Sequence, residues 1–427
     1  MQKPLPGLHH FMPDKVWKWK LLEKQVDHEL TLHDYQEIRL SVLQDYHVIH
    51  DGITALMQEN EAHQATEGIV NLSQPNGDIS LLTLRPEGTI SVLHHTAKVI
   101  RDKDIHRYYY LGPMFRKEKD SLPSEFFQLG VELLGSSSIM SENEVISIGM
   151  KICQNLGLRD VYLKLNSFGC HTCRRDFFED MRKHLSEHRA EYCDSCYQNL
   201  YANPFADTQC EDPKCQQALT SGPQIGDYLC KQCKTNFAKV KKIQANLGYQ
   251  YKVDNRLFKN FAYYNETVFD FVLSHQGQEI VIGGGGRYDY LSQKITGKNI
   301  PAVGFYLNMD SVFEIMESRG LFDQPAQVFT VYISSQSEDL EIMMLQIAQE
   351  LHTQNIKTIL STEKIPLEQD AARALKAQCS LMIIIREDNI REGKILMRNL
   401  AKEHQDYIPL GNIIPEILLA RKALNNE

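Results

Sequence analysis

The sequence predicts an α+β protein with an inserted, cysteine-rich unit, and three observations support this prediction. Two runs rich in aromatic and aliphatic residues, 108–118 and 125–134, flank a short polar segment containing a proline, which is typical of an antiparallel hairpin. Strand-like and helix-like runs alternate over residues 327–424, which predicts a mostly parallel sheet covered by helices. Eight of the ten cysteines lie between Cys170 and Cys233, and this clustering favours metal binding over scattered disulfides.

Composition limits the classes of protein to consider. A chain of 427 residues is long enough for two or three domains, and 42% hydrophobic with 24% charged residues is typical of a globular protein. No apolar run approaches ~20 residues, so we expect no membrane span. The N-terminal segment lacks an apolar core, so we expect no signal peptide and predict a cytoplasmic protein. The net charge of −9 excludes a basic overall surface, so a nucleic-acid partner requires local basic patches.

The N-terminal part of the chain, residues 1–166, is predicted to form the first part of a mixed core. Apolar residues at helical spacing indicate a helix over 16–26, and the run 35–43 is predicted to be a strand. After the hairpin, a hydroxyl residue precedes acidic residues at the start of 141–156, which is typical of a helix start. The run 160–166 completes this part as a predicted strand.

The second strand of the hairpin presents a polar face. Gln128, Gly130 and Glu132 alternate along it, so they face one side of the sheet. A glutamine and a glutamate with a glycine between them indicate the floor of a site for a small polar ligand, and Arg116 and Glu118 lie on the partner strand. The alternative interpretation is an amphipathic hairpin whose polar face contacts water, and the pattern alone leaves both open.

The insertion, residues 167–255, contains four closely spaced cysteine pairs. Each pair can present two thiolates to one tetrahedral zinc ion, so four pairs suffice for one or two structural zinc sites, but the spacing does not reveal which pairs share an ion. Redox chemistry and free buried thiols are the alternatives, although the sequence shows no thioredoxin-like unit of the kind that a redox pair normally needs. The predicted ligands are Cys170, Cys173, Cys193, Cys196, Cys210, Cys215, Cys230 and Cys233.

A basic run follows the last cysteine pair. Its members would lie partly on one face of a helix, where they can contact the phosphates of an RNA. A solvated helix face is the alternative interpretation. The run consists of Lys231, Lys234, Lys239, Lys241 and Lys242.

Several motifs in a fixed order identify a family. TLRPEGT, GPMFRKE and QLGVE lie in and around the hairpin, RLFKNFAYYNETVFDF spans 256–271, and GGGGRYDYL spans 283–291. With these motifs the chain resembles the histidyl-tRNA synthetases, which are class II aminoacyl-tRNA synthetases, over nearly its whole length. The resemblance implies a class II antiparallel sheet core whose second part is 256–319, followed by an anticodon-binding-like domain over 327–427. It also implies ligation of histidine to tRNA(His) with ATP and magnesium, in a homodimer.

The resemblance assigns roles to individual residues. The histidine-binding positions are Glu87, Thr89, Gln128, Glu132, Tyr263, Tyr264 and Tyr288. The ATP-binding positions are Arg85, Arg116 and Glu118, and the catalytic positions are Arg116 and Lys259. Glu132 and Tyr264 match the pair that recognises the imidazole, since a carboxylate and a phenol can satisfy both ring nitrogens.

Three departures from the family pattern concern the chemistry and the dimer. Lys259 stands where the family has an arginine, so the charge is kept but the planar fork that grips two oxygens is lost. Ser311 replaces the arginine of the third family motif, which removes a charge outright. Ser41 replaces the proline of the first motif, at the strand that forms the family's dimer interface.

These departures predict a protein that binds histidine and tRNA but whose ATP-dependent ligation is impaired or altered, because activation depends on cationic groups that neutralise the triphosphate. A fully active histidine–tRNA ligase is one alternative. A non-catalytic, histidine-binding regulatory subunit of the ATP phosphoribosyltransferase type, with a regulated protein partner, is a second. A tRNA-binding paralogue without a small-molecule role is a third.

Overall fold

The structure is a computed structural model that describes residues 11–55, 66–73, 79–100, 104–117, 123–205, 210–257, 259, 263–323, 328–400, 402 and 404–425. The chain divides into two compact units, Met1–Phe322 and Asp323–Glu427. Within the described residues, every helix is too short or too polar to cross a membrane.

An eight-stranded, mostly antiparallel sheet forms the centre of the first unit. The strands of this unit are β1 (Gln36–Glu37), β2 (Leu43–Asp45), β3 (Asn71–Ser73), β4 (Ile79–Leu84), β5 (His106–Lys117), β6 (Pro123–Leu134), β7 (Tyr162–Ser167), β8 (Tyr251–Val253), β9 (Asn265–His275), β10 (Gln278–Arg287) and β11 (Ala302–Asn308). The large sheet has the order β1-β5-β6-β11-β10-β9-β7-β8, and only its two outermost pairings are parallel. Strands β5 and β6 pair antiparallel, so the predicted hairpin is confirmed.

Helices pack on the sheet and build the insertion. The helices of the first unit are α1 (Pro13–Leu32), α2 (Tyr46–Ile53), α3 (Thr89–Thr96), α4 (Ile139–Asn155), α5 (His171–Glu187), α6 (Asp194–Ala202), α7 (Pro213–Ser221), α8 (Ile225–Tyr228), α9 (Lys231–Asn246), α10 (Asp289–Thr296) and α11 (Met309–Ser318). Helix α1 begins with proline, whose missing N–H costs nothing at that position. Helix α4 begins earlier than predicted, because the Ser138 hydroxyl accepts a hydrogen bond from the backbone N–H of Met140.

The predicted strand over residues 35–43 is wrong over most of its length. Only Gln36–Glu37 pairs with β5, and Leu43–Asp45 pairs in a separate three-stranded sheet with β4 and β3. Side chains take the carbonyls in between: Arg85 donates to the Leu40 oxygen and Gln44 to the Ser41 oxygen, both at 2.6 Å. Those carbonyls are therefore not available to a strand ladder.

The two faces of the hairpin pack differently, and this decides how its polar residues are placed. Odd-numbered residues of β6, including Val131 and Leu133, belong to a core cluster with residues of α1, α4 and α11. The even-numbered residues Gln128 and Glu132 are nevertheless only 4% and 2% exposed. The interpretation of a polar face in water is therefore wrong, and the buried polar face forms the floor of the candidate site.

The second unit is an α/β domain on a five-stranded sheet. Its elements are β12 (Thr330–Ser335), α12 (Glu341–Thr353), β13 (Lys357–Leu360), α13 (Leu367–Lys376), β14 (Leu381–Ile385), α14 (Glu387–Arg391), β15 (Lys394–Asn399), β16 (His404–Pro409) and α15 (Ile413–Asn425). The order is β13-β12-β14-β15-β16, with β13, β12 and β14 parallel and the last two pairings antiparallel. The prediction of a mostly parallel sheet was wrong for this edge, where β16 has the polar sequence HQDYIP and was not predicted.

Candidate functional site

The floor of the site is built from residues that face each other across three strands. Tyr110 of β5 lies opposite Gly130 of β6, and Gly304 of β11 lies opposite Glu132. A Cβ atom on Gly130 would lie 2.0 Å from the Tyr110 ring, and one on Gly304 would lie 1.9 Å from Glu132 Oε2. Both glycines are therefore needed, because the site's side chains occupy the space above them.

Glu132 is the buried carboxyl at the centre of the site. It accepts hydrogen bonds from the Thr89 hydroxyl at 2.8 Å and from the Tyr288 hydroxyl. Burial raises the pKa of Glu132 to about 8, against the lowering effect of these two donors. A carboxyl with this environment responds strongly to a ligand that brings N–H donors or positive charge.

Glu87 is a second buried carboxyl, close enough to raise the pKa of Glu132 through its charge. It accepts hydrogen bonds from the backbone N–H groups of Thr89 (2.8 Å) and Ile90 (2.9 Å) at the start of α3. Burial raises the pKa of Glu87 to about 7, while those N–H groups and the charge of Arg116 lower it. Two buried carboxyls side by side favour a cationic or N–H-rich ligand.

Three tyrosines enclose this pair. The rings of Tyr263 and Tyr264 lie 4.9 Å apart, and the Tyr288 ring lies 6.0 Å from Tyr263 and 6.4 Å from Tyr264. A Cβ on Gly286 would meet the Tyr264 ring at 3.0 Å, so Tyr264 packs directly on the sheet backbone. The structure therefore brings these three rings together around Glu132.

Gln128 lies on the same face of the hairpin and pairs with Gly112, two residues along β5 from Tyr110. Its Oε1 atom is buried and has no hydrogen-bond partner among the described residues. A buried acceptor without a partner costs about 1–3 kcal/mol, which a ligand can recover. Rotation of the amide presents either its oxygen or its NH₂ group, so Gln128 can also donate to a carboxylate.

The two arginines assigned to ATP lie at one end of this face. The Nε of Arg116 donates to the Pro86 carbonyl at 2.8 Å, and its guanidinium lies 5.0 Å from the centre of the Phe126 ring. Arg85 donates to the carbonyls of Pro113 and Leu40, so at least two of its donors hold backbone in place. Glu118, the third assigned position, lies outside the described residues.

Lys259 lies in the site but is engaged with the protein. Its ammonium forms an ion pair with Asp270 and donates to the Phe269 carbonyl at 2.8 Å. A Cβ on Gly284 would lie 2.5 Å from the ammonium, which places Lys259 on the same face of the sheet as the tyrosines. Ser311 lies in the first turn of α11, where its backbone N–H is capped by Asn308 at 3.1 Å.

Two residues of the site were not predicted from the sequence. Tyr110 was recognisable in principle. It lies two residues before Gly112 in β5, so the two residues share a face of the hairpin with Gln128. Asp270 had no comparable signal, since its partnership with Lys259 depends on two segments that meet only in the folded sheet.

The cysteines of the insertion form two separate groups of four. Within each group the sulfur atoms all lie within 4.8 Å of one another. The groups are Cys170, Cys173, Cys230 and Cys233, hereafter the first thiolate group, and Cys193, Cys196, Cys210 and Cys215, hereafter the second thiolate group. The structure thus assigns the outer two pairs to one site and the inner two pairs to the other.

The sulfur geometry fits a tetrahedral ion. The Sγ–Sγ separations are 3.6 Å for Cys170–Cys173 and 3.8 Å for Cys193–Cys210. A zinc ion with bonds of about 2.3 Å to four sulfurs requires separations of about 3.8 Å, whereas a disulfide requires about 2.05 Å. The backbone N–H of Cys230 donates to the Cys173 sulfur at 3.1 Å, which favours a thiolate there.

Two basic surfaces flank the insertion. A groove of about 610 Å³ is lined by Lys231, Lys234, Lys239 and Lys242 of α9. A groove of about 670 Å³ lies between α5 and α10 and is lined by residues including Arg174, Arg175, Arg182, Phe178 and Tyr290. Guanidinium groups and aromatic rings in one groove are the combination that contacts phosphates and bases.

Comparison with known proteins agrees with this architecture. The family model described as histidyl-tRNA synthetase matches residues 7–172 and 212–312, which together are more than half of the chain. The chain belongs to the histidyl-tRNA synthetase family. A second family model, described as an anticodon binding domain, matches residues 327–419.

Relatives and solved structures match over nearly the full chain. The histidine–tRNA ligase of Caldicellulosiruptor bescii is 29% identical over 417 residues, covering 95% of this chain and 96% of the relative. That of Halothermothrix orenii is also 29% identical over 417 residues, covering 96% and 97%. The crystal structure of apo S. aureus histidyl-tRNA synthetase has a TM-score of 0.79 at 24% identity, covering 98% of this chain and 100% of that one.

A structure described as an ATP phosphoribosyltransferase regulatory subunit/histidyl-tRNA synthetase from Bacillus halodurans has the same fold at lower similarity. Its TM-score is 0.63 at 17% identity, covering 90% of this chain and 97% of that one. Both solved structures confirm the predicted synthetase-type fold.

Proposed function

We propose that this chain binds histidine in the pocket around Glu132 and binds tRNA(His), and that it activates histidine with ATP only slowly. The observation that carries the first part is the set of Glu132, Thr89 and Tyr288 joined by hydrogen bonds, in which Glu132 and Tyr288 are each only 2% exposed. An imidazole that enters such a pocket can form hydrogen bonds with groups that are already oriented for it. Glu87, a second buried carboxyl beside Glu132, is the group that we propose holds the ammonium of histidine.

Slow activation follows from the state of the cationic groups. In the activation step the histidine carboxylate attacks the α-phosphorus of magnesium-bound ATP and pyrophosphate leaves. Cationic groups must neutralise the negative charge of both reactants and hold the attacking and leaving oxygens in line. Arg116 is retained at the position that the family resemblance assigns to the α-phosphate. Lys259 is already paired with Asp270, and Ser311 carries no charge. Loss of one such contact typically lowers the rate by about 10²–10³.

The deciding experiment combines calorimetry with histidine and histidine-dependent ATP–pyrophosphate exchange on the purified full-length chain. We expect a saturable heat of histidine binding together with weak exchange. Robust exchange would establish the fully active ligase instead, which Arg116 and the names of the relatives favour. Absence of any histidine binding would leave the tRNA-binding paralogue.

Binding of tRNA is supported by the match of residues 327–419 to an anticodon binding domain and by the two basic grooves of the insertion. The regulatory-subunit alternative fits the retained pocket and the replaced ATP-site arginines, and the comparisons add to it a shared fold at 17% identity. Binding of a tRNA(His) transcript that weakens steeply with salt supports our proposal, because phosphate contacts release counterions. Transcript binding that is absent at low salt contradicts it.

We also propose that each thiolate group holds one structural zinc ion and that the chain is a cytoplasmic homodimer. The donor set of four sulfurs and their separations support zinc. Two zinc ions per chain in protein purified without chelator are expected, and a zinc-free preparation would remove this part. Light scattering at the mass of two chains is the corresponding test of the dimer.

A further inference from the structure

The loop that carries Tyr264 is attached directly to the first thiolate group. Arg174 follows Cys173 in the sequence, and its backbone N–H donates to the Cys170 carbonyl at 3.0 Å. Its guanidinium Nη1 donates to the Tyr264 carbonyl at 2.9 Å. The same guanidinium lies 5.4 Å from the centre of the Phe205 ring, so packing as well as hydrogen bonding fixes its direction.

A second attachment joins the same two segments. The backbone N–H of Phe168 donates to the Glu266 carbonyl at 2.7 Å, and the N–H of Glu266 donates to the Gly169 carbonyl at 3.1 Å. Gly169 has φ +65 and its backbone lies against the side chain of Cys173, where a Cβ would approach within 2.6 Å. Residues on both sides of Cys170 therefore hold the segment from Tyr264 to Glu266.

The second thiolate group has no hydrogen bond to the segment from Tyr264 to Glu266 among the described residues, and its contact with Arg174 is the ring of Phe205, which lies between Cys196 and Cys210. Its local contacts stay inside the insertion: Lys214 donates to the Ala190 carbonyl, Gln216 to the Cys210 carbonyl, and the N–H of Cys215 to Asp212. The two groups share ligand type and sulfur spacing but differ in the neighbouring segments of the chain to which they are hydrogen-bonded. The second group therefore serves as a comparison that shares the ligand type and the packing contact of Phe205 with Arg174, but not the described hydrogen bonds to the segment that carries Tyr264.

We propose that an ion in the first thiolate group sets the affinity for histidine by holding Arg174 against the Tyr264 carbonyl, and that an ion in the second group does not. This inference rests on the proposed binding of histidine and zinc. Arg174 acts here as a positioning residue. A bound ion fixes Cys170 and Cys173 by linking them to Cys230 and Cys233. Loss of the ion therefore loosens Arg174 and the loop that presents Tyr264 to the pocket.

Paired double variants test the inference on the full chain. Cys230→Ser/Cys233→Ser removes two ligands of the first group without touching α5, and Cys210→Ser/Cys215→Ser is its match in the second group. Each should lose one zinc ion per chain. We expect the histidine Kd to rise about tenfold in the first variant and to stay within about twofold in the second, as for ordinary coupling between sites. Equal changes in both variants, or no change in either, overturn the inference.

The coupling between zinc and histidine binding can also be measured without any variant, because such coupling acts in both directions. If zinc strengthens histidine binding, histidine must strengthen zinc binding by the same factor. Saturating histidine should therefore raise the chelator concentration needed to remove the first ion about tenfold, without affecting removal of the second. Equal protection of both ions, or protection of neither, contradicts the coupling.

Arg174→Lys checks the connecting residue, because lysine keeps the charge but lacks the fork and the flat face that stacks on Phe205. It should keep both zinc ions and bind histidine more weakly, whereas unchanged affinity with both ions present contradicts the role of Arg174. Hydrogen exchange measured without histidine separates the two proposals. Faster exchange at residues 263–266 after loss of the first ion supports the coupling even if histidine fails to bind, and unchanged exchange opposes it.

Discussion

Lys259 and Asp270 form an ion pair on the face of the sheet where the family resemblance assigns ATP activation. Both side chains are almost fully buried, at 8% and 11% exposure, so the pair is poorly screened by solvent. At least two of the three N–H donors of Lys259 are thus engaged, and Asp270 partly neutralises the charge that a phosphate would meet. This pairing, together with the change from arginine to lysine, is the reason for our proposal of slow activation.

Restoring the missing charges should raise the rate of activation. We expect Lys259→Arg/Ser311→Arg to increase histidine-dependent ATP–pyrophosphate exchange by about 10²-fold or more, because each transition-state charge contact is worth about 10²–10³. The histidine Kd should change little, since both positions belong to the nucleotide side. Lys259→Gln/Ser311→Arg serves as the matched control and should gain much less. Equal rates for the two double variants would show that residue 259 plays no part.

Glu132 should dominate histidine binding. Glu132→Gln keeps the shape but exchanges an acceptor for a donor opposite the Thr89 and Tyr288 hydroxyls and cannot ionise when histidine binds, so we expect the histidine Kd to rise about 10²-fold, the value of one hydrogen bond to a charged group. Calorimetry gives the Kd directly. Glu314→Gln, at an exposed position of α11, is the control and should bind as the parent does. A Kd of Glu132→Gln within threefold of the parent would place histidine elsewhere.

The two buried carboxyls should make the ligand-free protein less stable as pH rises. The pKa of Glu87 is raised to about 7 and that of Glu132 to about 8, from 4.5, so the folded state holds these protons where the unfolded state has lost them. Their contribution is complete below pH 4.5 and is lost as pH rises through 7 to 8, at about 1.4 kcal/mol per unit per group.

Thermal unfolding at several pH values between 5 and 8 measures this slope. Glu132→Gln cannot ionise, so its melting temperature should fall less steeply with pH than that of the parent. Glu314→Gln should reproduce the parent slope. Parallel slopes for the parent and Glu132→Gln would mean that Glu132 is already ionised in the folded protein.

A buried ion pair supports the segment that carries Tyr288. The Nε of Arg287 donates to Glu142 at 2.7 Å, and both side chains are at most 2% exposed. Glu142→Gln leaves the buried guanidinium with Asp289, at 3.0 Å, as its remaining charge partner, so we expect a loss of about 3 kcal/mol, the lower end of the usual range for breaking a buried pair, in the free energy of unfolding. Glu279→Gln removes the ion pairs with Lys164 and Lys252 at the partly exposed surface and should cost less, about 1 kcal/mol. Similar losses measured by urea unfolding would contradict the prediction.

Removal of zinc should unfold the insertion before the sheet. The insertion contains short helices whose apolar faces surround cysteines, including buried Cys173, Cys196, Cys215 and Cys233. Without the ions, this part depends on a small apolar core alone. Circular dichroism during chelation should show partial loss of helix signal that returns on adding zinc, and an unchanged spectrum after complete zinc removal would exclude a structural role.

Local patterns were sufficient for much of the fold because they are encoded by residues that are near one another in sequence. Alternating side chains predicted the β5–β6 hairpin and the shared face of Gln128, Gly130 and Glu132, and both are confirmed. The same reasoning failed for residues 35–43, where Arg85 and Gln44 take the carbonyls that a strand would have used. A local sequence pattern cannot show that a side chain distant in sequence, such as Arg85, takes a backbone carbonyl from a strand.

By itself, the sequence determined the α+β class, the family and the clustering of the cysteines, and it predicted which residues line a histidine pocket. Tertiary structure alone decided that the outer and inner cysteine pairs form separate groups, that the polar face of the hairpin is buried, and that Lys259 is engaged by Asp270. The physical reason is that periodicity and spacing report backbone geometry within one element. Burial, charge pairing and shared ligation instead depend on which distant elements the folded chain brings into contact.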